Sequence, residues 1–421
     1  MKINSQEIKS VLTDGALFVI EFVFNLYLKV ARVVLKLIMP LVKRLVVERM
    51  ESYGLKVNGN EDIDPQVYNN ELYIRSALEG ETGMYESFMD GHWTSRNLVG
   101  TFAQCMSTRR TRDILHPLSW TLNFFNLQRG KRVWAVGQKH YDIGNDLYEV
   151  MLGKHMQYTC GYWEKASEGD LDTAQFHKME LIAEKLKLKP GMKVLDIGCG
   201  FGTLAHHLAA KYGVHVTGCS ISKEQTKYGE ELCRRDDLMD LVTFVVRDYR
   251  DLAIPENIGK FDRITSVGMV EHVGPHNYRE FFQISSQLLK EDGIFLLHTI
   301  GNNHPQLPCV SIWLHRYIFP NGVIPYYTKI CEGMEGFYII EDWQNFSYDY
   351  AKTIQCWHRN FEAAWHSGLR KMYGDRFYKV WTVYLSLAEA AFLSRSFQLW
   401  QIVLSKDGLK FGYPSKRLLQ N

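Results

Sequence analysis

Short apolar segments alternate with helical segments after Lys189-Pro190-Gly191, and this alternation constrains the fold more than any other feature of the sequence. The first helical segment covers 203–212 and ends at Gly213. Strands are predicted at 192–197, 214–218, 242–246, 263–269 and 294–299. Such an alternation predicts a parallel sheet with right-handed crossovers, whose ligands bind at the carboxyl ends of the strands. We therefore expect an α/β fold.

The bulk composition excludes several classes of protein. With 421 residues, 46% of them hydrophobic, the chain has enough material for a large core, so disorder and small disulfide scaffolds are excluded. Lys and Arg number 49 against 47 for Asp and Glu, a balance that argues against a nucleic-acid partner. The eight cysteines are scattered and form no CxxC pair, which indicates free thiols in a reducing, cytoplasmic compartment.

The first 48 residues predict a basic amphipathic helix that Pro40 bends or interrupts. Lys29, Arg32, Lys36 and Lys43 recur at helical spacing on one face. The opposite face is aliphatic and consists of Val30, Val33, Val34, Leu37, Ile38 and Leu41. Two interpretations are open. The helix lies in the headgroup layer of a membrane, with its bases on lipid phosphates, or it docks on the protein's own core or on a second subunit.

Changes in pattern divide the chain into three predicted segments. Residues 1–48 are the leading helix, residues 49–130 a small and mainly helical domain with helical patterning at 65–78, and residues 131–421 the catalytic domain. A basic, glycine-containing linker is predicted at 129–132.

The first predicted strand ends in a glycine-rich turn that indicates a cofactor site. The turn reads Leu195-Asp196-Ile197-Gly198-Cys199-Gly200-Phe201-Gly202. Its third glycine comes one residue too early for a dinucleotide fingerprint, and the next strand ends in Ser220 without the acidic residue that an NAD ribose requires. The turn resembles the first motif of S-adenosylmethionine-dependent methyltransferases, in which Asp196 orients the cationic end of the cofactor. The alternative is a tight strand–helix turn with no ligand.

Four reactive side chains fall at strand ends or loops of the same predicted rim: Cys160, Glu271, His298 and Tyr350. Each alone also has a purely structural explanation. A zinc site is not predicted, because the set contains no tight ligand pair. Thiol, imidazole and phenol donors suit a small anion instead, with Glu271 acting as a base or as the partner that keeps His298 charged.

Longer motifs carry a specific resemblance that runs from about Gly54 to the C-terminus. The sequence resembles cyclopropane-fatty-acyl-phospholipid synthases. The matching stretches are His140 to Tyr148, Tyr158 to Trp163, the glycine turn, Ile221 to Gln225, Val267 to Gly274, Leu296 to Gly301 and Tyr317 to Gly322.

This resemblance implies a Rossmann-like class I methyltransferase sheet with helical insertions, preceded by a small helical domain. It implies transfer of the sulfonium methyl of S-adenosylmethionine to a cis double bond of a phospholipid acyl chain, followed by proton loss to a bound bicarbonate and ring closure. The implied bicarbonate site consists of Cys160, Glu271, His298, the backbone at Ile300, and Tyr350. The implied cofactor contacts are Tyr158, Thr159, Asp196, Gly198, Gly200, Gly202, Ser220 and Gln225, with Asp248, Tyr249 and Arg250 near the adenine.

The same resemblance implies partners and leaves alternatives open. It implies peripheral association with a phospholipid bilayer and a homodimer formed through the N-terminal domain. Tyr141 and Tyr317 are candidates to stabilise a carbocation with their rings. Some family members carry a cysteine nominated as catalytic where this chain has Ala388, so that thiol is not essential here. Two other hypotheses remain: methylation of another acyl chain or of a small amine, and an inactive membrane-attached scaffold.

Overall fold

The computed structural model describes residues 5–107, 124–134, 144–303 and 311–415. Its chain forms two compact units, each assembled from separate stretches of sequence. Unit 1 consists of 1–132, 306–321 and 370–396, and unit 2 consists of 133–305, 322–369 and 397–421. The three consecutive domains stay a prediction. The two units divide the chain differently, since residues 370–396 group with its N-terminal part.

Helices and strands are named here in chain order within the described residues. The α-helices are α1 (Ser5–Leu37), α2 (Met39–Ser52), α3 (Glu71–Glu79), α4 (Glu81–Met89), α5 (Leu98–Ser107), α6 (Asn145–Leu152), α7 (Leu171–Lys185), α8 (Thr203–Tyr212), α9 (Lys223–Arg235), α10 (Tyr278–Leu288), α11 (Ile312–Tyr317), α12 (Tyr327–Met334), α13 (Ser347–Ala364) and α14 (Arg370–Leu393). The strands are β1 (Gln66–Val67), β2 (Trp93–Thr94), β3 (Lys193–Ile197), β4 (His215–Ser220), β5 (Val242–Val246), β6 (Phe261–Val267), β7 (Leu289–Gly301), β8 (Ile339–Asn345) and β9 (Gln398–Ser405).

Unit 1 agrees with the sequence prediction at Pro40 and departs from it at the next predicted helix. The leading helix is interrupted at Ile38, and Pro40 lies in the first turn of α2, where its missing N–H costs nothing. The helix predicted at 65–78 begins only at Glu71, because residues 66–67 pair with β2 as a short antiparallel strand. The Asn69 side chain accepts a hydrogen bond from the Glu71 N–H at 2.9 Å, which favours the helix start at that point. The predicted linker at 129–132 includes the start of a short 3₁₀-helix, Gly130–Val133.

Unit 2 is built on a seven-stranded sheet with the strand order β5-β4-β3-β6-β7-β9-β8. Strands β3 to β7 pair in parallel, and β9 runs antiparallel to both β7 and β8. All five predicted strands are present, with ends shifted by a few residues, and helix 203–212 is confirmed as α8. The sequence pattern missed β8 and β9.

Helices cover both faces of this sheet, as a doubly wound fold requires. Val194 and Val216 contribute to one core with Met179 and Ile182 of α7 and with side chains of α8. Leu195 and Ile197 alternate to the other face, where they contribute to a second core with phenylalanines of α10 and residues of α12. Burial on both faces explains why the central strands are almost continuously apolar. The predicted α/β fold is confirmed.

Two glycines flank α8, and they provide a matched test of local packing. Gly202 and Gly213 both have left-handed backbone angles, with φ of 73° and 63°. A Cβ on Gly202 would lie 2.5 Å from the Phe244 ring, whereas one on Gly213 would lie no closer than 3.6 Å to Pro190. Alanine costs about 1 kcal/mol of backbone strain at either position.

We expect Gly202→Ala to lower the free energy of unfolding by about 1 to 3 kcal/mol more than Gly213→Ala, because only the former forces the Phe244 ring to move. Urea unfolding followed by tryptophan fluorescence measures both variants. Equal losses would show that the contact with Phe244 does not constrain this turn.

Candidate active site

The glycine turn places a buried carboxylate without a partner at the end of β3. Asp196 is 1% exposed, and neither of its oxygens has a hydrogen-bond partner among the described residues. The N–H groups of Gly198 and Cys199 donate to the Cys219 carbonyl at 2.8 and 3.0 Å, which fixes the turn against β4. A buried carboxylate with both oxygens free suits a cationic ligand group, so the turn fits the amino-acid end of S-adenosylmethionine.

A buried lysine influences this carboxylate from the neighbouring helix α7. Lys178 is fully buried, and its Nζ donates to Thr159 Oγ1 at 2.8 Å and to Gln157 Oε1. Burial raises the pKa of Asp196 to about 7, with the positive charge of Lys178 opposing the rise. Burial also lowers the pKa of Lys178 to about 7, while Cys160 and Asp196 oppose the fall. The two groups therefore titrate close to neutral pH.

Sequence reasoning missed Lys178 and a second lysine on the same helix, Lys185. Both fall on the apolar stripe of α7 that also contains Ala174, Leu181 and Ile182, and both are completely buried. A lysine at a core position of an amphipathic helix was the available signal, because such a residue is rarely buried without a specific set of acceptors.

Two of the cofactor contacts implied by the resemblance, Ser220 and Gln225, lie at the end of β4 and at the start of α9. Ser222 caps α9 by accepting the Gln225 N–H at 3.3 Å, and Ser220 Oγ accepts the Ser222 N–H at 3.1 Å. The Gln225 side chain is buried, and its Nε2 lies 4.0 Å from where a Cβ on Gly200 would be. The structure therefore brings Gln225 over the glycine turn, on the side where Gly200 leaves room for a ligand.

The segment after β5 carries the predicted adenine contacts. Asp248 Oδ1 accepts the Arg250 N–H at 3.0 Å, and Asp248 Oδ2 pairs with Arg250 Nη1 at 2.8 Å. Arg250 also pairs with Glu280 at 3.0 Å, and its guanidinium lies 4.7 Å from the centre of the Tyr249 ring. These contacts hold the loop in one conformation. The role of the three residues toward adenine stays a prediction.

The segment containing Tyr158 and Thr159 lies against the end of β6. The Tyr158 ring packs on Tyr148 and Trp357, with centroids 5.4 and 5.2 Å apart. A Cβ on Gly268 would lie 2.7 Å from the Thr159 methyl group. Thr159 is thus fixed between the end of β6 and Lys178, close to the turn that holds Asp196.

Glu271 is a buried carboxylate with only one oxygen satisfied within the described residues. Its Oε1 accepts the Ile300 N–H at 2.7 Å, whereas Oε2 has no partner among those residues. Burial raises the pKa of Glu271 to about 7, and the hydrogen bonds from the backbone oppose this rise. The Ile300 N–H, which the resemblance assigned to bicarbonate, is therefore engaged by Glu271. The free Oε2 is the atom that remains for a ligand.

His298 is neutral in this environment, which corrects one of the two roles considered for Glu271. Burial lowers the pKa of His298 well below its ordinary value, and the positive charges of Lys178 and Lys185 lower it further. Glu271 makes no hydrogen bond to the ring among the described contacts, so it does not keep His298 charged. His298 Nδ1 lies 3.3 Å from Gln401 Nε2, and Nε2 of the ring has no partner in the described part of the chain.

Cys160 and Tyr350 are connected through helix α13. The Cys160 thiol donates to the Gly161 carbonyl at 3.0 Å, and Thr353 Oγ1 lies 3.9 Å from its sulfur. Burial raises the pKa of this thiol well above its ordinary value, so it remains protonated. Tyr350 lies one turn before Thr353, and its ring packs edge-on against Trp357 at 5.9 Å. A neutral thiol is a donor and not a nucleophile here.

Tyr141 and Tyr317 were predicted to stabilise a carbocation with their rings, and the structure does not test this role. Tyr141 lies outside the described residues. Tyr317 belongs to unit 1, where its hydroxyl donates to Glu86 Oε1 at 3.1 Å and its ring packs on Trp313. Their proposed contact with a carbocation stays a prediction. Within the described residues, no group of three or more His, Cys, Asp or Glu side chains has an arrangement able to hold a metal ion.

Similarity to known proteins identifies the family. A family model described as mycolic acid cyclopropane synthetase matches residues 128–402, more than half of the chain. The chain belongs to this family. It is 43% identical to the cyclopropane-fatty-acyl-phospholipid synthase of Escherichia coli strain K12 over 368 residues, 86% of this chain and 93% of that protein.

Two further similarities bear on fold and chemistry. A sphingolipid C9-methyltransferase of Komagataella phaffii is 32% identical over 64% of this chain and 57% of its own length. The solved structure of mycolic acid cyclopropane synthase CmaA1 complexed with SAH and CTAB is 27% identical, with a TM-score of 0.58 over 65% of this chain and 98% of that one. The family and fold class predicted from the sequence are confirmed.

The raised pKa of Glu271 predicts a pH dependence of stability. Between its ordinary value of 4.5 and about pH 7, the folded protein holds a proton on Glu271 that the unfolded chain has lost. The free energy of unfolding therefore falls as pH rises through this window.

Glutamine cannot ionise, so Glu271→Gln lacks this contribution to the pH dependence. Between about pH 4.5 and pH 7.5, we expect the free energy of unfolding of the variant to fall by roughly 2 to 3 kcal/mol less than that of the unmodified protein. Urea unfolding at several pH values measures the difference. Glu332→Gln, at an exposed position of α12, is the control and should retain the original pH dependence. If the free energy of unfolding of Glu271→Gln fell with pH as steeply as that of the unmodified protein, the raised pKa of Glu271 would be contradicted.

Proposed function

We propose that this protein is an S-adenosylmethionine-dependent cyclopropane-fatty-acyl-phospholipid synthase. It adds one methylene group across a cis double bond of an unsaturated phospholipid acyl chain. The observation that carries this proposal is the 43% identity to a synthase of that name over 93% of the latter's length. The enzyme class predicted from the sequence follows from the same relationship.

The arrangement of unit 2 suits a reaction that needs no activated nucleophile. S-adenosylmethionine supplies an electrophilic methyl group, and an alkene has no proton to remove before it attacks. Asp196 holds the cationic end of the cofactor, and burial favours the neutral forms of Cys160, in the segment between α6 and α7, and of His298 on β7. The Cys160 thiol stays protonated, so it does not compete with the alkene for the methyl group as a thiolate would.

We infer that a bound bicarbonate is the base that removes the proton after methyl transfer. His298 Nε2 and Glu271 Oε2 are buried polar atoms without partners in the described part of the chain, and such atoms are costly unless a ligand satisfies them. With its pKa near 7, Glu271 donates a hydrogen bond when it is protonated and accepts one when it is ionised. This pair suits an ion that both donates and accepts hydrogen bonds.

A membrane surface is the natural source of the acyl chain, and α1 offers a surface for it. One of the two interpretations of the sequence placed the bases of this helix on lipid phosphates, whereas two of these bases pair with α3 in the structure. Lys36 pairs with Glu71 at 2.8 Å, and Arg32 lies 3.7 Å from Glu79, so these two bases face α3. The Lys36 hydrogen bond holds the pKa of Glu71 below its ordinary value.

The aliphatic face of the leading helix is the face that remains open to solvent. Apart from Ile38, which is 43% exposed, its large aliphatic and aromatic side chains are exposed by half or more, and Leu37 reaches 81%. They are Phe18, Val19, Phe22, Val23, Leu26, Tyr27, Val30, Val33, Val34, Leu37, Leu41 and Leu45. No helix within the described residues is long and apolar enough to cross a membrane. We propose that this face inserts into the acyl boundary of a phospholipid bilayer, driven by apolar burial rather than by charge.

Methyl transfer without ring closure is the second candidate function. The similarity to a sphingolipid C9-methyltransferase favours it, because that relative matches 64% of this chain. The two outcomes differ in whether the product retains a branching methyl group or a three-membered ring, so product analysis separates them.

We expect the purified protein with S-adenosylmethionine to convert cis-unsaturated phospholipid vesicles into a product heavier by one methylene group. Mass spectrometry and proton NMR should show cyclopropane resonances. A methyl branch would favour the second candidate, and no added mass would contradict both.

Glu271→Gln should reduce turnover by a factor of about 100 or more, while the dissociation constant of S-adenosylmethionine stays within about threefold. The reason is that Glu271 contacts the site of the base and not the glycine turn. Calorimetry measures binding, and the exposed Glu332→Gln is the matched control for turnover. Loss of cofactor binding in Glu271→Gln would remove it from the base site.

For the membrane proposal, we expect Val33→Asp with Leu37→Asp to reduce binding to vesicles about tenfold or more, in neutral and anionic lipid alike. Arg32→Gln with Lys36→Gln is the control, and its binding should stay within about twofold because these bases face α3. Sedimentation with vesicles measures both. Unchanged vesicle binding of the aspartate variant with an altered oligomeric state would assign the face to a second copy of the chain.

A further inference from the structure

A row of polar side chains crosses the sheet of unit 2 beside His298. In the strand register, His298 of β7 lies opposite Gln401 of β9, and Gln401 lies opposite Gln344 of β8. Directly opposed residues project from the same face of a sheet, so the three side chains form one line. The line is unusual because every residue of β9 is buried.

Lys185 of α7 packs over this row, on the face of the sheet from which the three side chains project. Its ammonium is completely buried and donates to Gln344 Oε1 at 2.6 Å and to Gln401 Oε1 at 2.8 Å. Asp342 Oδ2 lies 4.0 Å from the same nitrogen and provides the countercharge. An ammonium group is only a donor, so the oxygen of the Gln401 amide must face Lys185. The Gln401 NH₂ group must then face His298.

The orientation of this amide decides where His298 carries its proton. Gln401 Nε2 donates to His298 Nδ1 at 3.3 Å, so Nδ1 must be the unprotonated nitrogen. The ring is neutral because it is buried and faces the positive charges of Lys178 and Lys185. A neutral imidazole has one N–H group, which is therefore on Nε2. This Nε2 is the buried atom that has no partner among the described residues.

We propose that Lys185 and Gln401 are positioning residues that fix His298 in the Nε2–H tautomer, so that the ring offers a hydrogen-bond donor to an anionic oxygen bound at the site. The role toward the anion rests on the proposed function, whereas the tautomer does not. The remote lysine acts through the glutamine, in the way that outer partners orient the ligands of metal sites.

A purely structural role for Lys185 is the competing explanation, since a buried ammonium needs acceptors in any fold. Two glutamate substitutions separate the explanations. Gln401→Glu keeps an acceptor for Lys185 but turns the group facing His298 from a donor into an acceptor, so the proton of the ring moves to Nδ1. Gln344→Glu adds the same charge to the other partner of Lys185 and leaves the contact with His298 intact.

The experiment uses the full chain labelled with ¹⁵N-histidine and records two-bond ¹H–¹⁵N correlations, which distinguish the nitrogens of each tautomer. His298→Gln assigns the His298 signals by their loss. We expect an unprotonated Nδ1 and a protonated Nε2 in the unmodified protein and in Gln344→Glu, and a protonated Nδ1 in Gln401→Glu. The turnover number of Gln401→Glu should fall about tenfold or more, with the KM for S-adenosylmethionine within about twofold.

The proposal would be overturned if Nδ1 of His298 carried the proton in the unmodified protein. It would also be overturned if the His298 nitrogen signals were the same in the unmodified protein, in Gln401→Glu and in Gln344→Glu. The unmodified protein decides the tautomer even if a variant does not fold. If the unmodified protein forms no cyclopropane product, the proposed function fails, while the nitrogen signals still report on Gln401.

Discussion

Burial of ionisable side chains without internal partners is the constraint on which the rest of this structure depends. Asp196, Glu271 and His298 lie at the carboxyl ends of three neighbouring strands, each with at least one polar atom unsatisfied by the described residues. Such atoms cost about 1 to 3 kcal/mol apiece when no ligand is bound. This unfavourable free energy is removed when a ligand supplies the missing hydrogen-bond partners. We therefore expect a cofactor and an anion to bind at this edge of the sheet.

Burial sets the protonation state of the same groups, and the surrounding charges modify it. Lys178 and Lys185 bring two positive charges into the core of unit 2, and both act on His298. Burial is the main cause of the neutral imidazole, the neutral thiol and the carboxyl pKa values of about 7, and the two lysines add to the effect of burial only at His298. A set of this kind suits binding of an ion by hydrogen bonds, and its protonated thiol is a poor nucleophile. This agrees with a reaction whose nucleophile is an alkene.

Local signals in the sequence explain what could be predicted. The parallel strands and α8 are short, apolar and punctuated by glycine, so their pattern is visible within ten residues. Strands β8 and β9 were missed because β8 is exposed at several positions and β9 lies more than 90 residues after β7, separated from it by helices. The helix predicted at 65–78 began late, because pairing of residues 66–67 with β2 overrode local helix propensity.

The candidate site shows the same division. Its reactive residues were recognisable by position, but their states depend on contacts between distant segments. The pKa of His298 is lowered mainly by burial and further by two lysines more than 100 residues earlier in the chain, and the orientation of α1 comes from carboxylates on α3. A helical pattern gives the two faces of α1 but not which face meets the protein.

The most direct test of the account is a crystal structure of the protein with S-adenosylhomocysteine and bicarbonate. The account predicts a planar anion within hydrogen-bond distance of His298 Nε2 and Glu271 Oε2, and a cationic cofactor end near Asp196. Apolar side chains filling the space between His298 and Glu271, with no anion at any bicarbonate concentration, would contradict it.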